Sequence, residues 1–196
     1  MKTGVFLLHE DFYQTPHKAI HDELSLGVWA EEIGFDEVWF AEHHFNPFSV
    51  IPSPTLAMAY LSAKTSKIRL GSAAFLAPFY HPIRLGEEIA MLDTLSGGRI
   101  NACFAKGGFT LDMELFDKSA QELREEMFVN VKKIEDTLRA NENLQPKPLQ
   151  EKIPFFIATF STQQTIAFAA KNGYGLLFSQ GASLEECKSA SELYFS

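Results

Sequence analysis

The sequence is poor in cysteine, in positive charge and in long apolar runs, and each shortage excludes a class of protein. It has 2 cysteines, Cys103 and Cys187, too few for a disulfide framework, so a reducing compartment is expected. Lys and Arg number 17 against 25 Asp and Glu, a formal charge of −8, which argues against nucleic-acid binding. No stretch approaches the roughly 18 apolar residues of a membrane span, and the N-terminus lacks a secretory pattern. A cytoplasmic protein is predicted.

The remaining composition is that of a globular protein. Apolar residues make up 46% and charged residues 21% of the 196 positions, as in ordinary folded domains. This length is sufficient for one sizeable core, and we predict a single domain over residues 1–196. Phenylalanine occurs 18 times, which suggests a bulky apolar interior or pocket.

Strand-like and helix-like segments alternate along the chain. Strands are predicted at 4–8, 37–41, 68–75, 99–105, 154–158 and 176–178, and helices at 17–33, 53–64, 81–95, 119–140, 162–172 and 183–195. Residues 141–152 read as a linker. Regular alternation predicts a parallel sheet covered by helices, because parallel strands need crossover connections.

Two parallel architectures fit this pattern, an open doubly wound sheet and a (β/α)₈ barrel. Gly4 stands alone at the first strand, without the Gly-x-Gly-x-x-Gly of a dinucleotide-binding turn, which disfavours the doubly wound sheet. A barrel typically needs eight strand–helix units and about 250 residues, whereas this chain supplies about six units.

Residues 38–48 are the most informative stretch. Val-Trp-Phe-Ala reads as a buried strand, Glu42, His43 and His44 follow directly, and Asn46-Pro47 ends the run. The acid and the two histidines would therefore lie at the carboxyl end of a strand, where parallel α/β folds bind ligands. Histidine is also the side chain that titrates nearest neutral pH.

Several further segments have a distinctive order and spacing. They are Met-Lys-x-Gly-x-Phe-Leu-Leu at 1–8, Gly-Phe-Asp-x-Val-Trp at 34–39, Gly-Ser-Ala-Ala at 71–74, His-Pro-Ile-Arg at 81–84, Leu92-Asp93 with Ser96, Gly98 and Arg99, and Ala-Ala-x-x-Gly at 169–173 with Leu-Leu-x-Ser at 176–179. Together with Glu-His-His-Phe at 42–45, they resemble bacterial luciferase and the wider family of luciferase-like flavin-dependent monooxygenases.

The resemblance implies a (β/α)₈ barrel, here incomplete. It implies reduced FMN as the cofactor, with the deazaflavin of some branches less favoured, bound at the carboxyl end of the strands. Members of the family activate O₂ as a flavin C4a-peroxide and oxidise small organic substrates, with reduced flavin supplied by a separate reductase. They dimerise through helices of the N-terminal half, so a homodimer is expected.

The resemblance assigns His43 to proton handling beside the flavin, a role that suits an imidazole near neutral pKa. The alternative is a structural histidine. On a regular strand Glu42 and His44 would point away from His43, so no metal site is predicted. His44 is expected to hydrogen-bond at the barrel rim, and Glu42 to orient a neighbour in the cofactor site.

Two small residues and a lysine match other parts of the family's flavin site. Ala73-Ala74 match a non-prolyl cis peptide beneath the flavin ring, although small residues can also serve close packing. Lys106 replaces an arginine that contacts the FMN phosphate, and an ammonium can still bind phosphate as a point charge.

Hydroxyl residues match the remaining phosphate contacts. Ser161, Thr162 and Thr165 stand at the start of the helix after the fifth strand, where hydroxyls, free N–H groups and the positive helix end favour an anion. The alternative is that Ser161 or Thr162 is only an N-cap.

Other positions depart from the family pattern. Ala105 replaces the reactive thiol of luciferase and Gln180 a flavin-stacking tryptophan, while Cys103, Trp29 and Trp39 read as core. The departures leave two alternatives to the monooxygenase, a non-catalytic flavin-binding protein and an inactive remnant. The family's chains continue beyond this length, so the chain is expected to be a fragment, a shortened homologue or a barrel completed by a partner.

Overall fold

The computed structural model describes residues 1–11, 15–46 and 48–196, so the predicted end of the histidine run at Pro47 lies outside the described residues. The strands are β1 Gly4–Leu7, β2 Glu37–Phe40, β3 Arg69–Ser72, β4 Phe75–Leu76, β5 Ile100–Ala105, β6 Phe155–Thr159 and β7 Gly175–Phe178. The α-helices are α1 Pro16–Glu32, α2 Pro54–Ser62, α3 Pro82–Ser96, α4 Thr110–Leu115, α5 Leu123–Ala140, α6 Gln163–Asn172 and α7 Leu184–Phe195, with a 3₁₀ turn at Ala77–Phe79.

The strands form one parallel sheet in the order β1-β2-β3-β5-β6-β7, and β4 continues the line of β3 and pairs with β5. This confirms the prediction of parallel strand–helix units. Within the described residues, β1 pairs only with β2 and β7 only with β6, so the sheet has two open edges instead of closing on itself.

The sheet is curled like the wall of a barrel. The rings of Trp39 on β2 and Phe156 on β6 meet edge to face with centroids 5.4 Å apart, although these strands are three positions apart in the sheet, roughly 14 Å if it were flat. A Cβ on Gly71 would lie 2.3 Å from the Trp39 ring, and one on Gly175 would lie 2.4 Å from Phe156. Glycines on neighbouring strands thus leave room for the two rings inside the barrel.

Local sequence signals set the helix boundaries where they were expected. Ser53 caps α2, accepting a hydrogen bond from the N–H of Leu56. Gly97 and Gly173 end α3 and α6 in the left-handed conformation with φ of 71° and 66°. The helices pack on the outer face of the sheet, where Val38, Phe40 and their neighbours form the main core.

Three sequence predictions about local structure were wrong. The third strand is not continuous over 68–75 but is divided into β3 and β4 by a cis peptide bond between Ala73 and Ala74. Helix α5 begins at Leu123 instead of 119, and it follows a helix, α4, for which no element was predicted. Trp29 is not core, since 55% of its surface is exposed on α1.

The predicted linker is a packed loop. Leu144 is buried, and Gln150 donates to both carboxylate oxygens of Asp93 and to the carbonyl of Ile100. Gln150 also accepts a hydrogen bond from Arg69. The Pro-rich composition correctly predicted the lack of regular structure, but the segment closes the amino-terminal end of the sheet instead of joining two mobile parts.

Candidate functional site

Glu42 organises the loop that follows β2. Its buried carboxylate accepts hydrogen bonds from the N–H of Leu76 at 3.2 Å and the hydroxyl of Tyr80 at 2.8 Å, and it lies 3.0 Å from Nε2 of His44. Burial raises the pKa of Glu42, and the bonds from His44 and Tyr80 oppose this effect. His44 is hydrogen-bonded at the rim as expected, and the role of Glu42 in orienting a neighbour of the cofactor stays a prediction.

His43 has different surroundings from its two neighbours. Its ring meets Phe48 and Phe109 edge to face, with centroids 6.0 and 5.4 Å away, whereas His44 contacts Phe79 and Phe116. Nδ1 of His43 is buried and has no hydrogen-bond partner among the described residues. Burial lowers the pKa of His43, and the charge of Asp112 works in the opposite direction. The imidazole is therefore neutral at physiological pH, as a proton acceptor must be.

The short helix α4 was missed from the sequence, and it carries residues that cover both histidines. Phe109 lies against His43 and Phe116 against His44, with ring centroids 5.4 and 4.9 Å apart. Asp112 lies between them and is 1% exposed. The spacing i, i+3, i+7 marks one face of a helix, and this pattern was the signal in the sequence that could have revealed the element.

The two alanines follow β3 at the carboxyl end of the sheet. The peptide bond that joins Ala73 to Ala74 is cis, as the family resemblance implied. Ala73 is partly buried and Ala74 is buried. Cys103 nearby is fully buried, as expected of a core residue, and burial raises the pKa of its thiol.

The predicted phosphate residues stand at neighbouring strand ends. Lys106 follows β5 and donates to the carbonyl of Gly107. Thr162 is the N-cap residue of α6, but its side chain makes no capping hydrogen bond, and Ser161 is exposed beside it. These hydroxyls are thus free for an anion, whereas Thr165, in the first turn, is 5% exposed and packs inward.

A second cation stands beside this helix end and was not singled out from the sequence. Arg124, in the first turn of α5, donates from Nη1 to the side-chain oxygen of Gln164 in the first turn of α6. Its Nε is buried and makes no hydrogen bond with the residues that the structure describes. The guanidinium therefore adds positive charge next to the unbonded N-terminus of α6, where the helix dipole already favours an anion.

Unpartnered buried polar atoms are concentrated at this end of the sheet. In the part of the chain that the structure describes, they belong to five residues: His9, His43, Asp112, Arg124 and Thr159. His9 follows β1, His43 follows β2, Asp112 follows β5, Thr159 ends β6, and Arg124 lies at the adjoining end of α5. Buried polar groups are normally paired, so these atoms mark the carboxyl end of the sheet as the candidate ligand site, although His9 Nδ1 also lies 3.5 Å from a carboxylate oxygen of Glu23.

A cavity of about 380 Å³ opens on the other side of the histidine pair. It is lined by aromatic and polar side chains: Glu42, His44, Pro52, Ser53, Thr55, Leu56, Phe79, Tyr80, Glu88 and Phe116. Its size is in the range of sites for small organic molecules.

The described helices include none with the length and hydropathy of a membrane span.

The fold defines an incomplete β/α barrel with a candidate ligand site at the carboxyl end of its strands. The family model of luciferase-like monooxygenases matches residues 1–195, and the chain belongs to that family. It is 32% identical over 197 residues to the uncharacterized protein y4vJ of Sinorhizobium fredii, covering 90% of this chain and 54% of that one. It is 38% identical over 102 residues to the oxygenase component of the flavin-dependent trigonelline monooxygenase of Acinetobacter baylyi, covering 52% and 28%.

Solved structures agree on the fold. The monooxygenase RslO1 of Streptomyces bottropensis superposes with a TM-score of 0.92 at 26% identity, over 99% of this chain and 64% of that one. The oxygenating constituent of 3,6-diketocamphane monooxygenase of Pseudomonas putida, in complex with FMN, superposes with a TM-score of 0.87 at 18% sequence identity. The match covers 99% of this chain and 61% of that one. An F420-dependent secondary alcohol dehydrogenase superposes with a TM-score of 0.75 at 18% sequence identity, over 100% of this chain and 66% of that one. The chain spans about half the length of y4vJ and about two thirds of the length of RslO1.

Proposed function

We propose that this chain binds reduced FMN and takes part in the oxidation of a small organic substrate by O₂, as a single partial-barrel domain over residues 1–196. The observation that carries the proposal is the gathering of unpartnered buried polar atoms at the carboxyl end of the sheet. The FMN complex of the diketocamphane enzyme supports FMN, while the F420-dependent neighbour makes a deazaflavin the alternative cofactor to be tested.

The residues present fit such a cofactor. The end of α6, with free hydroxyls at Ser161 and Thr162, and the cations Lys106 and Arg124 suit a phosphate. The flat ring would lie over Ala73 and Ala74, next to His43. The reduced flavin would supply the electrons that activate O₂.

His43 is proposed as the group that moves a proton at the flavin ring. It is neutral at physiological pH because burial lowers its pKa, so it can accept a proton and return it. Glu42 would act indirectly, by fixing Tyr80 and His44 around the cavity that would receive the substrate.

Partners follow from the same reasoning. A separate reductase is proposed as the source of reduced flavin, since the trigonelline relative is named as an oxygenase component. A homodimer is proposed because the outer helices expose large apolar side chains. The exposed fractions are 55% for Trp29 on α1, 73% for Leu56 on α2 and 55% for Met91 on α3. Two free cysteines support a location in the reducing cytoplasm.

Anaerobic titration with reduced FMN tests the binding proposal, with riboflavin as the ligand that lacks the phosphate. Saturable binding that weakens for riboflavin is expected. No binding at hundreds of micromolar would end the proposal and favour an inactive remnant. Sedimentation of the same samples tests the dimer, which a clean monomer would contradict.

A second candidate function is flavin binding without catalysis. It is favoured by Ala105 at the end of β5 and by the exposed Gln180, which both depart from the luciferase pattern. Oxygen consumption with reduced FMN separates the two functions. Consumption that depends on an added organic substrate supports the monooxygenase, and release of hydrogen peroxide alone with every substrate supports the second function.

A further inference from the structure

Helix α4 places an acidic side chain against the two histidines. Phe109, at its N-terminus, touches His43, and Phe116, just beyond its end, touches His44. Asp112 is three residues after the first ring and four before the second, so it shares their face of the helix. Its carboxylate is therefore directed toward the imidazoles and away from solvent, which agrees with its exposed fraction of 1%.

Both His43 and Asp112 have a buried atom without a partner. Nδ1 of His43 and Oδ2 of Asp112 make no hydrogen bond with any described residue, although both are buried. The imidazole nitrogen can carry a proton and donate a hydrogen bond, and the oxygen of the ionised carboxylate can only accept a hydrogen bond. Leaving either group unpaired costs about 1–3 kcal/mol, so a bond between them would remove two penalties at once.

We propose that Asp112 is a positioning residue for His43. Its carboxylate takes up the Nδ1–H of the imidazole, directly or through one bridging water, and so leaves Nε2 as the nitrogen that accepts and returns a proton. The pairing is inferred from the shared helix face and from the two buried atoms that have no bond among the described residues, whereas the use of Nε2 in catalysis rests on the proposed function.

The surrounding charges are consistent with this pairing. Asp112 raises the pKa of His43, against the effects of burial and of His44. Burial raises the pKa of Asp112, and the charges of His43 and His44 oppose that rise. Glu42 faces His44 and Tyr80 and is bound by both, and Glu88 lines the same cavity. Within the described residues, Asp112 is thus the acid whose Oδ2 has no donor and whose charge acts on His43.

A structural role for Asp112 makes different predictions. As an acid in the first turn of α4, it would only stabilise that helix, through a favourable interaction of its charge with the helix dipole. Its replacement would then lower stability by a few tenths of a kcal/mol to about 1 kcal/mol and would leave the titration and the tautomer of His43 unchanged. The exposed Glu114 lies on the same helix and provides a matched loss of charge.

The test is ¹⁵N NMR of the histidine rings in the flavin-free protein, comparing wild type with Asp112→Asn and Glu114→Gln. In the wild type, neutral His43 is expected as the Nδ1–H tautomer. In Asp112→Asn, we expect its pKa to fall by about 1 pH unit and the tautomers to mix, while Glu114→Gln leaves both unchanged. An unchanged His43 in folded Asp112→Asn would overturn the proposal.

The wild-type protein alone provides a second measurement in case Asp112→Asn fails to fold. If the two groups are coupled, the carboxyl carbon of Asp112 and the ring nitrogens of His43 titrate with shared inflections. Separate titrations, or a wild-type Nε2–H tautomer, would overturn the pairing. Because no flavin is present in either experiment, failure of the proposed function would not affect the outcome.

Discussion

The two ends of the sheet differ in how completely their buried polar groups are paired. At the amino-terminal end, Arg69 donates to Asn101, Gln150 and the carbonyl of Ile100, and Asn101 donates to Glu37. At the carboxyl end, His43 and other side chains have buried atoms with no hydrogen-bond partner in the described part of the chain. Paired groups hold a structure together, and unpaired groups cost stability. The first end therefore serves the fold, and the second is available for a ligand.

The largest effect is expected at the amino-terminal end, from Arg99→Met. Arg99 donates to carbonyls of Ser62, Thr65, Ile68 and Ser96, and so joins the ends of α2 and α3 to the start of β5. Its removal leaves several buried acceptors without a donor, so we expect unfolding in urea to show a loss of about 3 kcal/mol.

The exposed Arg84, which makes surface ion pairs at the other end of α3, provides the control. Arg84→Met should change the stability by less than about 1 kcal/mol. Equal losses of unfolding free energy in the two variants would show that the amino-terminal end of the sheet is not a special source of stability.

The next effect is a pH dependence that originates at the carboxyl end. His9 is fully buried, and burial lowers its pKa from 6.5 to about 4. The unfolded state therefore binds the proton first as the pH falls, so this stability is fully present above pH 6.5 and is lost toward pH 4. The shift corresponds to about 3 kcal/mol between pH 7 and pH 4.

Urea unfolding across this pH range should show that loss in the wild type, and a smaller loss in His9→Asn. A carboxylate oxygen of Glu23 lies 3.5 Å from Nδ1 of His9, and burial raises the pKa of Glu23. Glu23→Gln is therefore the control that separates the contribution of Glu23 to the pH dependence from that of His9. A wild-type stability that stays constant from pH 7 to pH 4 would contradict the neutral, buried state of His9.

Much of the fold could be predicted from the sequence because its signals are local. Ser53, Gly97 and Gly173 mark helix ends through their own backbone preferences, and alternation of apolar segments predicts the parallel sheet. Helix α4 was missed because it is short and its N-cap residue, Phe109, makes no capping hydrogen bond. The exposure of Trp29 was missed because composition does not reveal which face of a helix is covered.

The candidate site was predicted less completely than the fold. Glu42, His43 and His44 were placed at a strand end by their position in one segment. Asp112, Arg124 and their unpartnered atoms depend on contacts between residues far apart in the chain, for which a single sequence carries no signal. The resemblance to the family provided the phosphate residues, and the structure leaves their ligand as a proposal.

A smaller effect on binding is expected from Arg124→Met. If the guanidinium contacts the phosphate, FMN affinity should fall about tenfold, or ~1.4 kcal/mol, while riboflavin affinity stays unchanged. Arg139 lies near the opposite end of α5 and is paired with Glu135, so Arg139→Met is the matched control. Equal losses for FMN and riboflavin would assign Arg124 to the fold instead.

The smallest effect expected is a gain, from Thr159→Val. Valine keeps the shape of the side chain and removes a buried hydroxyl that has no hydrogen-bond partner in residues 1–11, 15–46 and 48–196. We expect the free energy of unfolding to rise by about 1 kcal/mol, as measured by thermal unfolding. A loss of stability would show that this hydroxyl is paired in solution, and would weaken the contrast between the two ends.

Hydrogen exchange with and without reduced FMN, under anaerobic conditions, tests the central claim most directly. We predict that reduced FMN slows exchange in the segments after β2, β5 and β6, around His43, Asp112 and Thr162, and leaves the strand starts at Glu37 and Asn101 unchanged. Protection at the amino-terminal end, or no protection at saturating FMN, would contradict the assignment of the carboxyl end as the flavin site.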